Sequence, residues 1–197
     1  MKPRTRKSLK FSVSIAVITF VLAAIFSIAS EAVLSNVIWF IGLFTVFIIV
    51  FLGVIFDMMG IAATSAVERP FHAMAAEKIT GAKEAVSIIR NADKFASFCN
   101  DVIGDISGII SGTAASAVVL QVANLYGQDD GASLQVVLSV VLTSLVAALT
   151  VGGKAIAKHI AINSSTDLIF FAGRVIAFIE SHFKIKILPR AEKNEKK

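Results

Sequence analysis

Lysine and arginine are missing from two long stretches of this 197-residue chain. None occurs in 11–68 and none in 95–153, although the chain holds 19 of them and a formal net charge of +5. The other scarcities point the same way. Charged residues make up 17% of the chain against 56% hydrophobic ones, and mean hydropathy is +0.79. A soluble domain carries about a quarter charged residues, so that class is excluded. Disorder is excluded too, because it needs low hydrophobicity. The single cysteine, Cys99, permits no intrachain disulfide and no cysteine-rich metal site, and its thiol is expected to pack.

What is present is apolar chain of membrane length. A hydrocarbon core about 30 Å thick takes about 20 helical residues. Each stretch free of Lys and Arg is long enough for two such helices, which places spans at 11–30, 37–63, 98–123 and 134–151. The turn through Ser35 and Asn36 joins the first pair, and the turn through Asp129, Asp130 and Gly131 joins the second. The expected fold class is therefore all-α, an integral membrane bundle of four transmembrane helices with cytoplasmic juxtamembrane amphipathic helices. Five basic residues fall in 2–10, five in 69–94 and nine in 154–197. Basic residues collect on cytoplasmic loops, so both termini and the 68–94 segment are expected inside, in a multi-pass protein of the cell (inner or plasma) membrane. The two outer turns then carry only Glu31, Asp129 and Asp130. A signal peptide is the competing reading of 1–30, with Lys2, Arg4, Arg6, Lys7 and Lys10 as its positive region. Its apolar stretch is longer than the usual 7–15 residues.

The segment 68–94 is of another kind. Phe71, Ala75, Ile79, Ala82, Val86 and Ile89 recur at spacings of three and four, with Glu77, Lys78, Lys83, Glu84 and Arg90 on other faces. Pro70 suits a helix start, and Thr80-Gly81 suits a break between two short helices. Two readings stand: a connecting hairpin, or an element that transmits conformation. At 165–183, Leu168, Phe171, Val175, Phe178 and His182 repeat the pattern behind the caps offered by Ser164, Ser165, Thr166 and Asp167. This reads as an interfacial helix. The basic tail 184–197 follows, with Lys184, Lys186, Arg190, Lys193, Lys196 and Lys197, and can attract anionic membrane lipid. Nucleic acid is not expected as a partner, because the tail lacks aromatic residues on which bases stack.

The chemistry is sought in polar groups placed where lipid belongs. Asp57 interrupts the second span, and Asp101 and Asp105 enter the third. An intramembrane carboxylate costs several kcal/mol unless it faces a partner, water or an ion. On an α-helical wheel Asp101, Asp105, Gly104, Gly108 and Gly112 share one sector. The glycines, with Ser107, Ser111 and Ala115, then form a close-packing face, within a subunit or across a homodimer. The alternative puts the acids on a cation path, where oxygen ligands would hold a hard ion such as Mg2+. His72, His159 and His182 lack metal-ligand spacing, and no phosphate loop or nucleophile elbow occurs, so no enzyme is expected.

The run 56–66, Phe-Asp-Met-Met-Gly-Ile-Ala-Ala-Thr-Ser-Ala, and the run 75–85, Ala-Ala-Glu-Lys-Ile-Thr-Gly-Ala-Lys-Glu-Ala, resemble the transmembrane domain of the CNNM/CorC (CorB) magnesium transporter family. In that family a span breaks at a small-residue Ser- and Glu-containing motif and leads into a juxtamembrane helix pair. Two further spans close on Gly-Glu-x-x-Pro-Lys. Here Asn91-Ala-Asp-Lys94 resembles the segment before the next span, and Gly153-Lys-Ala-Ile-Ala-Lys158 stands at the closing motif. The resemblance covers about 37–183, with the first helix as an extra. It implies Mg2+ as a substrate, no resident cofactor, a homodimer, and a protein partner that supplies regulation. The departures fall on the ion site. The family's Ser-x-Ser-Glu becomes Asp57-Met58-Met59-Gly60, its closing Glu becomes Lys154, and its Pro becomes Ala157. A divergent member without the CBS domains that such transporters usually carry is expected.

Asp57, Asp101 and Asp105 remain as candidate metal ligands, and Lys154 is a candidate ion-pair partner for any of them. Two functions follow. One is a divalent-cation transporter or channel-like protein. The other is a transport-incompetent scaffold or regulatory subunit in which Lys154 replaces the bound cation.

Overall fold

The computed structural model describes residues 3–34, 38–125 and 131–183. The expectations on Lys2, Ser35, Asn36, Asp129, Asp130 and the tail 184–197 lie outside the described residues. Every described element is helical: α1 (Pro3–Leu34), α2 (Trp39–Ser65), α3 (Arg69–Ala76), α4 (Ala82–Arg90), α5 (Ala92–Ala96), a π-helical stretch (Ser97–Gly104), α6 (Asp105–Leu125), α7 (Gly131–Asn163) and α8 (Ser165–Phe183). Four helical stretches are long and apolar enough to cross a membrane: Ser12–Ser30, Trp39–Ser65, Ala92–Val122 and Gln135–Asn163. They match the four expected spans. Several run further than expected. α1 begins at Pro3, taking in the basic residues Arg4, Arg6, Lys7 and Lys10. α7 continues twelve residues past 151 to Asn163, through Gly152 and Gly153.

The chain divides into two compact units. The first comprises Met1–Ile55 and Asp101–Ala155, and the second Phe56–Asn100 and Ile156–Lys197. In the first unit, Val46 and Val50 of α2 pack with Ala114, Ala115 and Val118 of α6 and Val146 of α7. On another side of α6 and its π-helical lead-in, Val102, Ile106 and Ile110 meet Ile15, Leu22 and Ala23 of α1. Large side chains point outward, among them Phe20, Ile28, Phe44, Phe51 and Val151. A helix whose bulky apolar residues face away from its neighbours suits lipid rather than water.

In the second unit, Ala62 and Ala63 from the end of α2, Phe71 of α3, Ala85 and Ile88 of α4, Ala161 of α7, and Ile169 and Ala172 of α8 form one core. The expected helix break is present and sharp. Lys78 (φ 58°) and Gly81 (φ 92°) both adopt left-handed conformations between α3 and α4, and Pro70 sits in the first turn of α3. Of the apolar positions expected over 71–89, Phe71 and Ala82 are buried and Val86 and Ile89 pack against the core, whereas Ile79, beside the left-handed turn, is exposed.

On α8 the structure separates two apolar faces. Ile169, Ala172 and Gly173 are buried, whereas Phe171, Val175 and Phe178 of the expected stripe point outward. Gly173 sets the crossing with α4. A Cβ there would overlap the Gly81 carbonyl oxygen and lie 2.9 Å from the Ala85 nitrogen.

Candidate cation site

In the first unit α6 opens on Asp105 and α7 carries Lys154. Next to Lys154, Gly153 faces Val54 of α2, where a Cβ would stand 3.1 Å from a valine methyl. This close approach fixes the roll of α7. Lys154 Nζ then lies 3.8 Å from Asp105 Oδ1, with the lysine side chain 28% exposed and the aspartate 66%. At that distance the pair is a Coulombic contact rather than a hydrogen bond. Asp101, on the π-helical stretch, is exposed.

The glycine face expected from 104, 108 and 112 is divided. Gly104 is buried, and its carbonyl oxygen lies 3.7 Å from where a Cβ of Gly53 would stand. Gly108 and Gly112 have nothing within 4 Å of a Cβ position. The π-helix over Ser97–Gly104 also takes Asp101 out of register with that face. Hydrogen bonds running from i to i+5 turn the chain by less than the 100° per residue that an α-helical wheel assumes. A close-packing glycine of this unit is Gly53, whose Cβ would lie 2.7 Å from Ser107 Cβ.

The second unit holds the buried polar groups. Asp57 is 9% exposed. One turn further along α2, Gly60 faces Asn100 of the π-helical stretch. A Cβ at Gly60 would overlap Asn100 Oδ1 and stand 2.7 Å from its Cγ and 3.2 Å from the Ala96 carbonyl oxygen. Asn100 Oδ1 is buried with no hydrogen-bond partner. An orphaned buried acceptor costs about 1–3 kcal/mol, and π-helical turns concentrate at functional sites. The missing glycine side chain thus leaves room for a side-chain oxygen that no donor satisfies. Sequence reasoning missed Asn100 because a lone amide at the start of a span looks like an ordinary interface residue. Its signal was the pairing of that amide with a glycine in another span.

At the α3–α4 hairpin, Glu68 Oε1 accepts from Arg90 Nε at 2.5 Å and pairs with His72 Nε2 at 2.8 Å. The Arg90 hydrogen bond, aided by His72, holds the Glu68 carboxyl below its ordinary value of 4.5, against a smaller opposing effect of burial.

Among the described residues no three His, Cys, Asp or Glu side chains converge on a point that could hold a metal ion. The three carboxylates expected as a joint ligand set therefore stand in separate surroundings: Asp57 buried, Asp101 exposed, Asp105 beside Lys154. Any hard-cation site here would draw on amide and main-chain oxygens as well as carboxylate, a donor set that Mg2+ accepts while retaining waters.

These features define a multi-pass, all-α membrane protein. No protein-family model, no curated protein and no solved structure matches the chain.

Proposed function

We propose that this membrane protein handles a hard divalent cation of the Mg2+ type, as a transporter or channel-like protein related to the CNNM/CorC family it resembles. The observation that carries this reading is the buried, unpartnered Asn100 Oδ1 on a π-helical stretch beside Gly60. A partly dehydrated cation would complete that oxygen. Asp57, buried in the same unit, would supply negative charge, and the Ala96 carbonyl a further oxygen. In this reading both termini and the hairpin face the cytoplasm of an inner or plasma membrane, where basic residues are retained. The open Gly108–Gly112 face supports association of two copies.

A second reading rests on the Lys154–Asp105 pair. An ammonium held on a carboxylate at the start of α6 acts as a tethered cation, which favours a transport-incompetent scaffold or regulatory subunit. Flux into vesicles loaded with a Mg2+-sensitive dye separates the two. The transporter reading expects Mg2+ entry with the wild-type protein and its loss in Asn100→Leu. Absence of wild-type flux sinks it in favour of the scaffold.

A further inference from the structure

The outer face of α8 is an apolar ridge that none of the described residues of the second unit covers. Phe171 is 63% exposed, Val175 42% and Phe178 69%, and the His182 ring stacks on Phe178 at 6.0 Å with planes 9° apart. The opposite face, with Ile169, Ala172 and Gly173, is already buried. Between the faces runs a narrow polar strip of Asp167, Arg174 and Ser181, all exposed. A helix apolar on two sides needs two apolar neighbours, and the described residues supply only one.

The roll of the helix cannot be adjusted to hide the ridge. Gly173 sits against the Gly81 carbonyl oxygen and the Ala85 nitrogen, and Gly81 in turn lies beneath the Arg174 backbone, 2.6 Å from its nitrogen to a Cβ position. Any rotation that buried Phe171 or Phe178 would drive a side chain into that backbone contact. The outward direction of the ridge is therefore fixed by glycine geometry.

We propose that this ridge lies in the plane of an anionic leaflet, with Phe171, Val175 and Phe178 at the headgroup–acyl boundary. Three observations choose lipid over another occupant. One residue, Ser164, separates α8 from α7, a helix that is itself long and apolar enough to span the bilayer. The segment after α8, 184–197, has six Lys or Arg against two Glu, a charge complementary to anionic headgroups. Arg174 is exposed on the flank of the ridge with its guanidinium 5.9 Å from the Phe170 ring centre, an arrangement that lets the charge reach headgroups while its stem stays on apolar surface. Rings at the boundary and basic charge above it are the recipe of an in-plane amphipathic anchor.

The test uses the full-length chain with Cys99→Ala, carrying single cysteines at 171, 175, 178 or, as a control on the polar strip, 181. Each is labelled with a nitroxide and reconstituted in phosphatidylcholine vesicles with and without phosphatidylglycerol. At the three ridge positions the ratio of oxygen to nickel-chelate accessibility is expected to exceed that at 181 several-fold, and to rise further with the anionic lipid. Equal ratios at 178 and 181 would place the ridge in water and overturn the proposal. Dipolar broadening that grows with labelled fraction would overturn it in favour of a second copy. Should Cys99→Ala not fold, the native background serves, because Cys99 is 3% exposed and shielded from the label.

Discussion

Among the described residues the first unit buries no aromatic ring, whereas the second closes its core around one, Phe71. Val46, Ala114, Ala115 and Val118 are buried in the first while Phe20, Phe44 and Phe51 point outward. In the second, Phe71, Ile88 and Ile169 are fully buried. Lipid is as apolar as leucine, so helices in it gain little by burying bulk and associate through close backbone approach at small residues. Packing around a central Phe is what an aqueous or interfacial core requires. The contrast is one of packing rule: close backbone approach at small residues in the first unit, a core around a ring in the second. The chain passes between them at 55–56, 100–101 and 155–156, within two residues of Asp57, Asp101 and Lys154. The charges that interrupt the apolar spans therefore mark the change of packing rule.

The largest effect expected from this contrast comes from the glycines. Gly173→Leu in the second unit forces a side chain into the Gly81 and Ala85 backbone and should cost about 3 kcal/mol or more. Gly152→Leu on α7, where nothing stands within 4 Å, should cost less than about 1 kcal/mol. Thermal unfolding in detergent reads both. Equal losses would erase the difference between the units.

A smaller effect is expected at Lys154. Lys154→Met removes the partner of an Asp105 that is 66% exposed, and at that exposure the loss should be about 0.5–1 kcal/mol. Lys154→Glu is more informative, because it sets a second carboxylate near Asp105. The melting temperature of that variant should rise on adding Mg2+ more than that of Lys154→Met. A silent Lys154→Glu would show that the pair is a surface coincidence.

The smallest effect is the pH response of the hairpin. The folded-state pKa of Glu68 is depressed below 4.5, so its contribution is fully present above that value and is lost as pH falls through the lower, folded one. Glu68 is about a third exposed, which limits the contribution to about 0.5–1 kcal/mol. Melting temperatures of wild type and Glu68→Gln should differ at pH 6 and converge as pH drops below 4.5. A constant gap would assign the effect to packing instead.

The spans, the hairpin break at Gly81 and the start of α8 were legible in the sequence, because each rests on a local rule: hydropathy over 20 residues, a left-handed glycine, a cap. The site was less so. The wheel that grouped Asp101 with Gly108 and Gly112 fails because Ser97–Gly104 is π-helical, and hydrogen-bond register is invisible in composition. Asn100 was missed for a related reason, since its meaning depends on Gly60, forty residues away, lacking a side chain. The stripe on α8 was legible as a periodicity, but that Phe171 and Phe178 face outward while Ile169, Ala172 and Gly173 are buried depends on what α4 presents to the helix.

The most direct test of the cation reading is a Mg2+ titration of thermal stability for wild type and Asn100→Leu in parallel. A ligand at a hundred times its dissociation constant stabilises a folded protein by about 2.7 kcal/mol. The account predicts a saturable rise in melting temperature for wild type that Asn100→Leu abolishes. Equal shifts in the two proteins, or none in either, would contradict it.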